Sequence, residues 1–355
     1  MLFLPSWWSY WRKSCNVVSP FTDNPEKRVV REQWDTPLLK HLHNDYGVRY
    51  RYLGLPGPDL IDVKLWGNMI EEVIAFEPPD RGGYGRTAFN ALTRNMRKAG
   101  ISGRVYCGSF EEVVLLRRDL EGQDYVQDRL VTLYNLDFCN EISSPVHTQE
   151  HGEQVWRFEA IRQVLRDQFA CYTRAQNARH FILMLTVRNQ IAPHKIREFL
   201  SPSKLQGDAK AFYTKCSATN AIPTDQKPLI GSHSWALKTL LHNVLRSYFG
   251  NPNLSALFFP QVLYRGTRVR LRNGAGFLES PMLHWLVLCR FGDMQSPSPE
   301  FWPDEYLSSA SVAVLNEEAL TWAVETGEER SHHTTPCAVE WLRQYGHEIV
   351  NGLKC

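Results

Sequence analysis

The sequence predicts an α/β fold, because short apolar segments alternate with segments of helical periodicity along most of its length. Predicted helices separate the first five apolar segments, the last of which ends at Val187. Two further apolar segments, Leu254–Arg265 and Met282–Phe291, follow with only a turn-rich connection between them. A parallel crossover needs about a dozen residues and usually a helix, so we expect these two strands to pair in antiparallel.

Each of the five earlier segments is short and is followed by turn residues or by a predicted helix. The fifth is apolar throughout, which is typical of a strand covered on both faces. Apolar residues recur at helical spacing in Asp59–Met69, in Thr87–Ala99 and at about 154–170. The five predicted strands are Tyr50–Leu55, Val73–Phe76, Arg104–Cys107, Leu130–Leu136 and His180–Val187.

Segments of different character flank the predicted α/β domain, which spans 48–292 and contains a polar insertion at about 188–231. An N-terminal arm, 1–47, carries the aromatic and basic cluster Trp7–Lys13 and then a helix, and a helical extension covers 293–355. We expect the arm or the C-terminal helices to bind a protein partner. Stacking of the arm's aromatic side chains on nucleic-acid bases is the alternative. The apolar residues of the predicted arm helix are Trp34, Leu38, Leu39 and Leu42.

The composition is that of an ordinary globular protein. Of 355 residues, 43% are hydrophobic and 22% charged, and the formal net charge is +2. This charge gives no overall attraction to nucleic acid or to a membrane, and no apolar run approaches the roughly 20 residues that cross a bilayer. Eight cysteines show no Cys-x-x-Cys spacing. We therefore expect reduced thiols and a cytoplasmic protein.

The stretch Arg49–Glu77 has the order strand, glycine turn, helix, strand and acid. Gly54 and Gly57 follow the first strand, and Glu77 closes the second. Glycines let the backbone approach a ligand, and a carboxylate at this place can accept two hydrogen bonds from a ribose diol. The order is typical of a nucleoside-binding α/β unit. The alternative is a simple turn for the glycines and a surface acid for Glu77.

This order of elements resembles that of the class I S-adenosylmethionine-dependent methyltransferases. Their Rossmann-like, seven-stranded and mostly parallel sheet carries a terminal antiparallel hairpin, and the resemblance covers roughly residues 48–292. It implies S-adenosylmethionine as the cofactor. The glycine loop would hold its methionine part, Glu77 its ribose hydroxyls, and Ser109 and Phe110 its adenine. The loop residues implied are Gly54, Pro56, Gly57 and Asp59.

The fourth strand ends in Asn135-Leu136-Asp137-Phe138, where the resemblance implies a motif that positions the substrate or catalyses. Asp137 would orient or deprotonate an amine or hydroxyl nucleophile, and Asn135 and Phe138 would bind the substrate. The motif lacks the two prolines of nucleobase-amine methylases, which argues against that specificity. A cap on the next segment is the alternative for Asp137.

Two other functional classes are consistent with the sequence. Pro56 and Pro58 remove backbone donors from the glycine loop, so the fold could be an inactive scaffold or sensor that binds protein partners, with or without a nucleotide-like ligand. A nicotinamide dehydrogenase fits the antiparallel hairpin and this loop less well. We predict packing for Cys139 rather than a nucleophile. The late histidines and cysteine have no zinc spacing, so no metal site is predicted.

Overall fold

The computed structural model describes residues 25–79, 86–138, 142, 145–148, 152–175, 180–188, 254–259, 261–265, 269–270, 277–278, 281–291, 312–313, 337–350 and 353. The aromatic cluster Trp7–Lys13, most of the predicted insertion, Cys139 and most of the predicted C-terminal extension lie outside these residues. The structure therefore leaves those predictions as they stand.

The described chain begins with a long helical segment. Helix α1, Pro25–Val29, continues through a π-helical segment, Val30–Asp35, into α2, Thr36–Tyr46. Gly47 ends it with φ of 70°, a left-handed conformation that glycine adopts without strain. The four apolar residues predicted to share one helical face are all buried: Trp34, Leu38, Leu39 and Leu42.

The predicted sheet is present, and its strands run in the expected parallel and antiparallel directions. The parallel part has the order β3-β2-β1-β4-β7, and β12 joins β7 in antiparallel. Strands β8 and β9 pair in antiparallel with β12, so they run in the same direction as β7. The strands are β1 Tyr50–Gly54, β2 Ile70–Glu77, β3 Gly103–Cys107, β4 Leu133–Asp137, β5 Pro145–His147, β6 Gln154–Trp156, β7 His180–Arg188, β8 Leu254–Phe258, β9 Gln261–Arg265, β10 Val269–Arg270, β11 Phe277–Leu278, β12 Pro281–Phe291 and β13 Val312–Ala313.

This topology confirms the Rossmann-like fold with its antiparallel strand. The seven expected strands are present, and the described sheet contains nine strands because of two differences from the prediction. The strand predicted at Leu254–Arg265 is divided into β8 and β9, and the two-residue β13 extends the edge beside β9. A small hairpin of β5 and β6, which the sequence did not predict, precedes the long helix.

Helices connect the parallel strands as predicted, with shifted ends. The helix after β1 begins only at Ile61, because Leu60 has φ of 55° and breaks the helical path. The helices after α2 are α3 Ile61–Trp66, followed by the short 3-10 turn Gly67–Met69, then α4 Thr87–Lys98, α5 Phe110–Leu116, α6 Arg157–Ala175, α7 Ala338–Tyr345 and α8 His347–Val350.

The core lies on both faces of the sheet. In β7, every residue from Phe181 to Val187 is buried, as predicted for a strand covered on both faces. Helix α4 shows the one-sided pattern of a surface helix, with Phe89, Leu92 and Met96 buried. Across the described residues, no helix is both long and apolar enough to cross a membrane.

Candidate functional site

The carboxyl ends of β1, β2 and β4 form the edge where an open α/β sheet binds its ligands. The chain continues from β1 to β2 and β3 on one side and returns to β4 on the other, so the strand order reverses between β1 and β4. Gly54 stands at this point, paired with Ala75 of β2 and Asn135 of β4. Gly54, Glu77 and Asp137 therefore end neighbouring strands at one edge, and Asn135 lies two residues before the end of β4.

Gly54 is required by the close approach of β1 to β4. A Cβ atom at this position would lie 2.2 Å from the carbonyl oxygen of Asn135 and 2.9 Å from the hydroxyl of Tyr52. That carbonyl accepts a hydrogen bond of 3.1 Å from the amide of Leu55. The glycine thus holds the two strands together at the switch point, whether or not a ligand approaches it.

The loop after β1 is a tight and largely buried turn. Gly57 has φ of 66°, and its carbonyl accepts a hydrogen bond of 3.2 Å from the amide of Leu60. Asn95 of α4 donates to the carbonyl of Pro58 at 2.9 Å. Pro56 is buried, whereas Asp59 is exposed. The predicted role of this loop in holding a methionine moiety stays a prediction.

Glu77 is the last residue of β2, and only 6% of it is exposed. Its carbonyl accepts a hydrogen bond of 3.0 Å from the amide of Gly108, which follows β3. The ends of β2 and β3 are therefore joined directly beside the carboxylate. A buried carboxylate at this place has about four lone-pair sites, enough for both hydroxyls of a ribose.

The two residues predicted to flank adenine are used by helix α5. Ser109 caps the helix, and its hydroxyl accepts a hydrogen bond of 3.2 Å from the amide of Glu112. Phe110 is buried, with its ring 5.3 Å from that of Phe76 and 5.8 Å from that of Phe138. Ser109 is partly exposed and retains its own proton to donate. An adenine contact by either residue stays a prediction.

A buried polar cluster fixes the side chain of Asn135. Its amide nitrogen donates to Asp62 of α3 at 2.9 Å, and the guanidinium of Arg31 contacts the other oxygen of Asp62. Only 5% of Asp62 and 5% of Asn135 is exposed. Burial, and secondly the Asp62 carboxylate, raises the pKa of the adjacent Tyr52 well above its usual value, so its phenol stays neutral. Asn135 is therefore held in one orientation.

Asp137 is ion-paired. The ammonium of Lys27, from α1, contacts its Oδ2 atom, and the carboxylate side chain is 6% exposed. The predicted role of Asp137 in orienting or deprotonating a nucleophile stays a prediction. The helix that lies before the α/β domain in the sequence thus reaches the carboxyl end of β4. No local sequence pattern indicates this contact, because the two residues are 110 positions apart.

A second buried network joins the helical segment to the antiparallel strand. His284 of β12 lies 2.9 Å from Oδ1 of Asp35 through Nε2 and 2.9 Å from the hydroxyl of Thr186 through Nδ1. A carboxylate only accepts, so Nε2 donates to Asp35, and in the neutral imidazole Nδ1 accepts from Thr186. Thr186 is paired with Asp137 across β7 and β4, so the network continues to the predicted site.

Phe138 is buried directly after β4, next to another buried ion pair. The guanidinium of Arg157 lies 5.0 Å from the centre of the Phe138 ring, in the geometry of a cation–π contact. The same group is 2.6 Å from the carboxylate of Glu111 in the first turn of α5. The structure thus places Phe138 in a packed position, and its predicted substrate contact stays a prediction.

The residues that sequence reasoning missed are Lys27, Arg31, Asp35, Asp62 and His284. Lys27, Arg31 and Asp35 are spaced four residues apart ahead of the apolar helix, and this spacing predicts one polar face of a helix. The sequence does not predict which residues they contact, because Asp35 and His284, for example, are 249 positions apart. A histidine within the apolar run of β12 indicates only a buried polar group that needs partners.

Neither a family model nor a curated protein matches the sequence. Solved structures match it by fold, and methyltransferases are among them. The O-methyltransferase TomG from Streptomyces achromogenes, in complex with SAM, is 7% identical over 73% of this chain and 80% of its own, with a TM-score of 0.33. An O-methyltransferase from Bacillus cereus, in complex with SAH, is 9% identical over 80% and 86%, with a TM-score of 0.33.

An rRNA methylase from Streptococcus thermophilus is 9% identical over 72% of this chain and 97% of its own, with a TM-score of 0.31. At such identities the similarity is one of fold alone. The function has to be inferred from the residues at the carboxyl edge of this chain's own sheet.

Proposed function

We propose that this protein is an S-adenosylmethionine-dependent methyltransferase whose cofactor binds at the carboxyl ends of β1 and β2. The observation that carries the proposal is Glu77, a buried carboxylate that ends β2 one strand away from the switch point. Its two oxygens can accept hydrogen bonds from both hydroxyls of a ribose. The glycine turn after β1 lies beside it, since β1 and β2 are paired up to Gly54 and Ala75.

The loop chemistry favours this cofactor over a dinucleotide. A pyrophosphate is bound by several backbone N–H groups at a glycine-rich turn, and Pro56 and Pro58 have none to give. The methionine part of S-adenosylmethionine carries no phosphate, so it does not need that cradle. The antiparallel β12 between β7 and the pair β8 and β9 supports the same choice, as the resemblance to methyltransferases implies.

The remaining residues fit the task of orienting a nucleophile. Bound S-adenosylmethionine supplies a methyl group that is already activated by the positive charge on sulfur. The protein then has mainly to align the accepting atom, which requires rigid groups. Asn135 is fixed by Asp62, and Asp137 is fixed by Lys27. Oδ1 of Asp137 would accept the proton of a hydroxyl or amine substrate.

The experiment is calorimetric titration of the whole protein with S-adenosylmethionine. We expect binding with a dissociation constant below about 1 mM, in the range usual for enzyme ligands. Glu77→Gln keeps the shape of the side chain and removes its charge. Because hydrogen bonds to charged groups contribute about 1.5–3 kcal/mol, this change should weaken binding about 10-fold to 100-fold.

Glu71→Gln is the matched control. Glu71 lies on the same strand, but its side chain is 39% exposed and forms surface ion pairs with Arg49 and Arg51. Its substitution should leave the titration unchanged. The proposal is wrong if the wild-type protein gives neither heat nor a thermal shift at millimolar S-adenosylmethionine, or if both variants lose binding equally.

A further inference from the structure

The contact between Lys27 and Asp137 holds an amine of this chain against the carboxylate that is proposed to accept a substrate proton. Lys27 belongs to α1, whereas Asp137 ends β4, so the contact joins the helical segment to the carboxyl edge of the sheet. The side chain of Lys27 is 15% exposed and that of Asp137 is 6% exposed. An amine and a carboxylate within hydrogen-bond reach of each other have the arrangement of a nucleophile and its base.

This pair lies next to the strand whose end is proposed to bind the cofactor. β4 is paired with β1 as far as Gly54 and Asn135. Asp137 lies two residues further along β4, at its carboxyl end. Because the two strands are parallel, the end of β4 and the glycine turn after β1 lie at the same edge of the sheet. A ligand at that turn and the Lys27 amine therefore belong to adjacent strand ends.

Neither the helix dipole nor a gain in stability accounts for a lysine at this position. Lys27 lies in the first turn of the helical segment that begins at Pro25, where the dipole is unfavourable to a cation. A buried ion pair often adds no net stability, because desolvation of both charges offsets their attraction. Of the three helix residues that contact the site, Lys27 also has the most exposed side chain, 15% against 9% for Arg31 and 5% for Asp35.

The carboxylate can convert the ammonium of Lys27 into a nucleophile. An ammonium has no free lone pair, so it can attack a methyl group only after it has lost a proton. Asp137 is in contact with the ammonium and can accept that proton. Transfer within the pair leaves both groups neutral, and burial favours neutral groups over charged ones. The pair therefore has the chemistry that methylation of an amine requires.

We propose that Lys27 is a methyl acceptor, so that the protein methylates its own chain. The inference rests on the proposed methyl transfer and names one acceptor for it. The Lys27 ammonium loses one proton to Asp137, and the lone pair of its nitrogen forms a bond to the methyl carbon. The carbon–sulfur bond breaks, its electron pair stays on sulfur, and S-adenosylhomocysteine is released. The proton passes from Asp137 to water, and Lys27 keeps its positive charge as a methylammonium.

The first experiment incubates the full chain with S-adenosylmethionine that carries deuterium in its methyl group. Mass spectrometry of the intact protein and of its peptides should find labelled methyl on Lys27. The rate constant should not depend on protein concentration, because the acceptor and the cofactor site belong to one chain. Methyl groups acquired during expression lack deuterium, and they count as transfer only if the Asp137→Asn protein lacks them.

Three variants show which residues carry the transfer. Asp137→Asn keeps the shape of the side chain and removes the base. General base catalysis contributes roughly 100-fold to 10,000-fold, so labelling should be at least about 100-fold slower. Lys27→Arg keeps a cation and should abolish the label. Lys40→Arg is the matched control, because Lys40 is an exposed lysine of α2 in the same helical segment, and labelling should be unchanged.

A binding measurement tests the position of Lys27 without any transfer. The sulfur of S-adenosylmethionine is positively charged, whereas that of S-adenosylhomocysteine is neutral. If the Lys27 ammonium lies near this sulfur, the two positive charges repel each other. Lys27→Gln should therefore raise the affinity for S-adenosylmethionine, relative to that for S-adenosylhomocysteine, at least about threefold in calorimetric titrations. Lys40→Gln should leave this ratio unchanged.

The outcomes separate this inference from the proposed function. If the protein binds S-adenosylmethionine but no label reaches Lys27, the inference is overturned and cofactor binding is not. A label that Lys27→Arg retains in full, a rate constant that rises with protein concentration, or an affinity ratio that both glutamine variants change equally would also overturn it. Absence of binding in the titration would instead refute the proposed function, and this inference with it.

Discussion

Among single residues, Gly54 is required by the packing of the backbone, whether or not a ligand is bound. Its pairing with Asn135 brings the two chains so close that only a hydrogen atom fits on the α-carbon. A glycine at the end of the first strand is also what the resemblance implies for a cofactor loop. Only the packing explanation predicts that a larger residue at Gly54 destabilises the protein in the absence of a cofactor. A measurement of the free energy of unfolding therefore tests it.

We expect Gly54→Ala to destabilise the protein by about 1–3 kcal/mol, the usual cost of forcing an extra carbon into a packed site. Urea unfolding followed by circular dichroism measures this loss. The main obstacle is the backbone carbonyl of Asn135, at 2.2 Å, rather than the Tyr52 hydroxyl, at 2.9 Å. The loss should therefore be the same in a Tyr52→Phe background, and rescue by Tyr52→Phe would contradict this explanation.

At the scale of elements, the helical segment α1 to α2 is the part that most changes the picture of the site. Lys27, Arg31 and Asp35 form a polar stripe on it, and each contacts a polar group near the carboxyl edge of the sheet. The π-helical turn Val30–Asp35 contains two of the three. Such turns are rare and often lie at functional sites. The segment is therefore next to the proposed site as well as part of the core.

The buried pair of Arg31 and Asp62 should dominate the attachment of this segment. Removal of one partner of a buried ion pair costs about 3–5 kcal/mol, because the other charge stays in a medium of low dielectric constant. We expect Arg31→Met to lower the free energy of unfolding by this amount in urea titrations. Arg49→Met is the control, since Arg49 and its partner Glu71 are 54% and 39% exposed, and it should cost about 1 kcal/mol or less.

The double variant Arg31→Met with Asp62→Asn tests whether charge burial is the cause. Asparagine keeps an oxygen that can accept from Asn135 and removes the charge that Arg31 balances. The double variant should therefore be more stable than Arg31→Met alone. A double variant as unstable as the sum of the two single losses would contradict the ion-pair explanation.

At the scale of the whole molecule, the sequence was sufficient for the fold because strand order follows from local signals. Two apolar strands without a helix between them have to pair in antiparallel, and β12 does so with β8 and β9. The signals were weaker for short elements. The three-residue strands β5 and β6 are too short to show a period, and the division between β8 and β9 falls within one continuous apolar run.

The site was predictable in its positions and less so in its partners. Gly54, Glu77 and Asp137 lie at strand ends and Asn135 lies two residues before one, positions that the periodicity locates, and the fold then brings them to one edge. Ion pairs with Lys27 and Arg31 depend on where a distant helix packs, and no local pattern encodes that. The Ser-x-x-Glu spacing of Ser109 and Glu112 is a sequence signal for a helix start, so the cap could be predicted. The ring contacts of Phe110 could not, because they depend on how the helix packs on the sheet.

The proposed function requires that S-adenosylmethionine bind beside Glu77 at the switch point of the sheet. A crystal structure of the protein grown with S-adenosylmethionine tests it most directly. We predict ligand density at the ends of β1 and β2, with both ribose hydroxyls about 2.5–3.0 Å from the carboxylate oxygens of Glu77. Density at another place, or a ribose that does not contact Glu77, would show that the cofactor does not bind at this site.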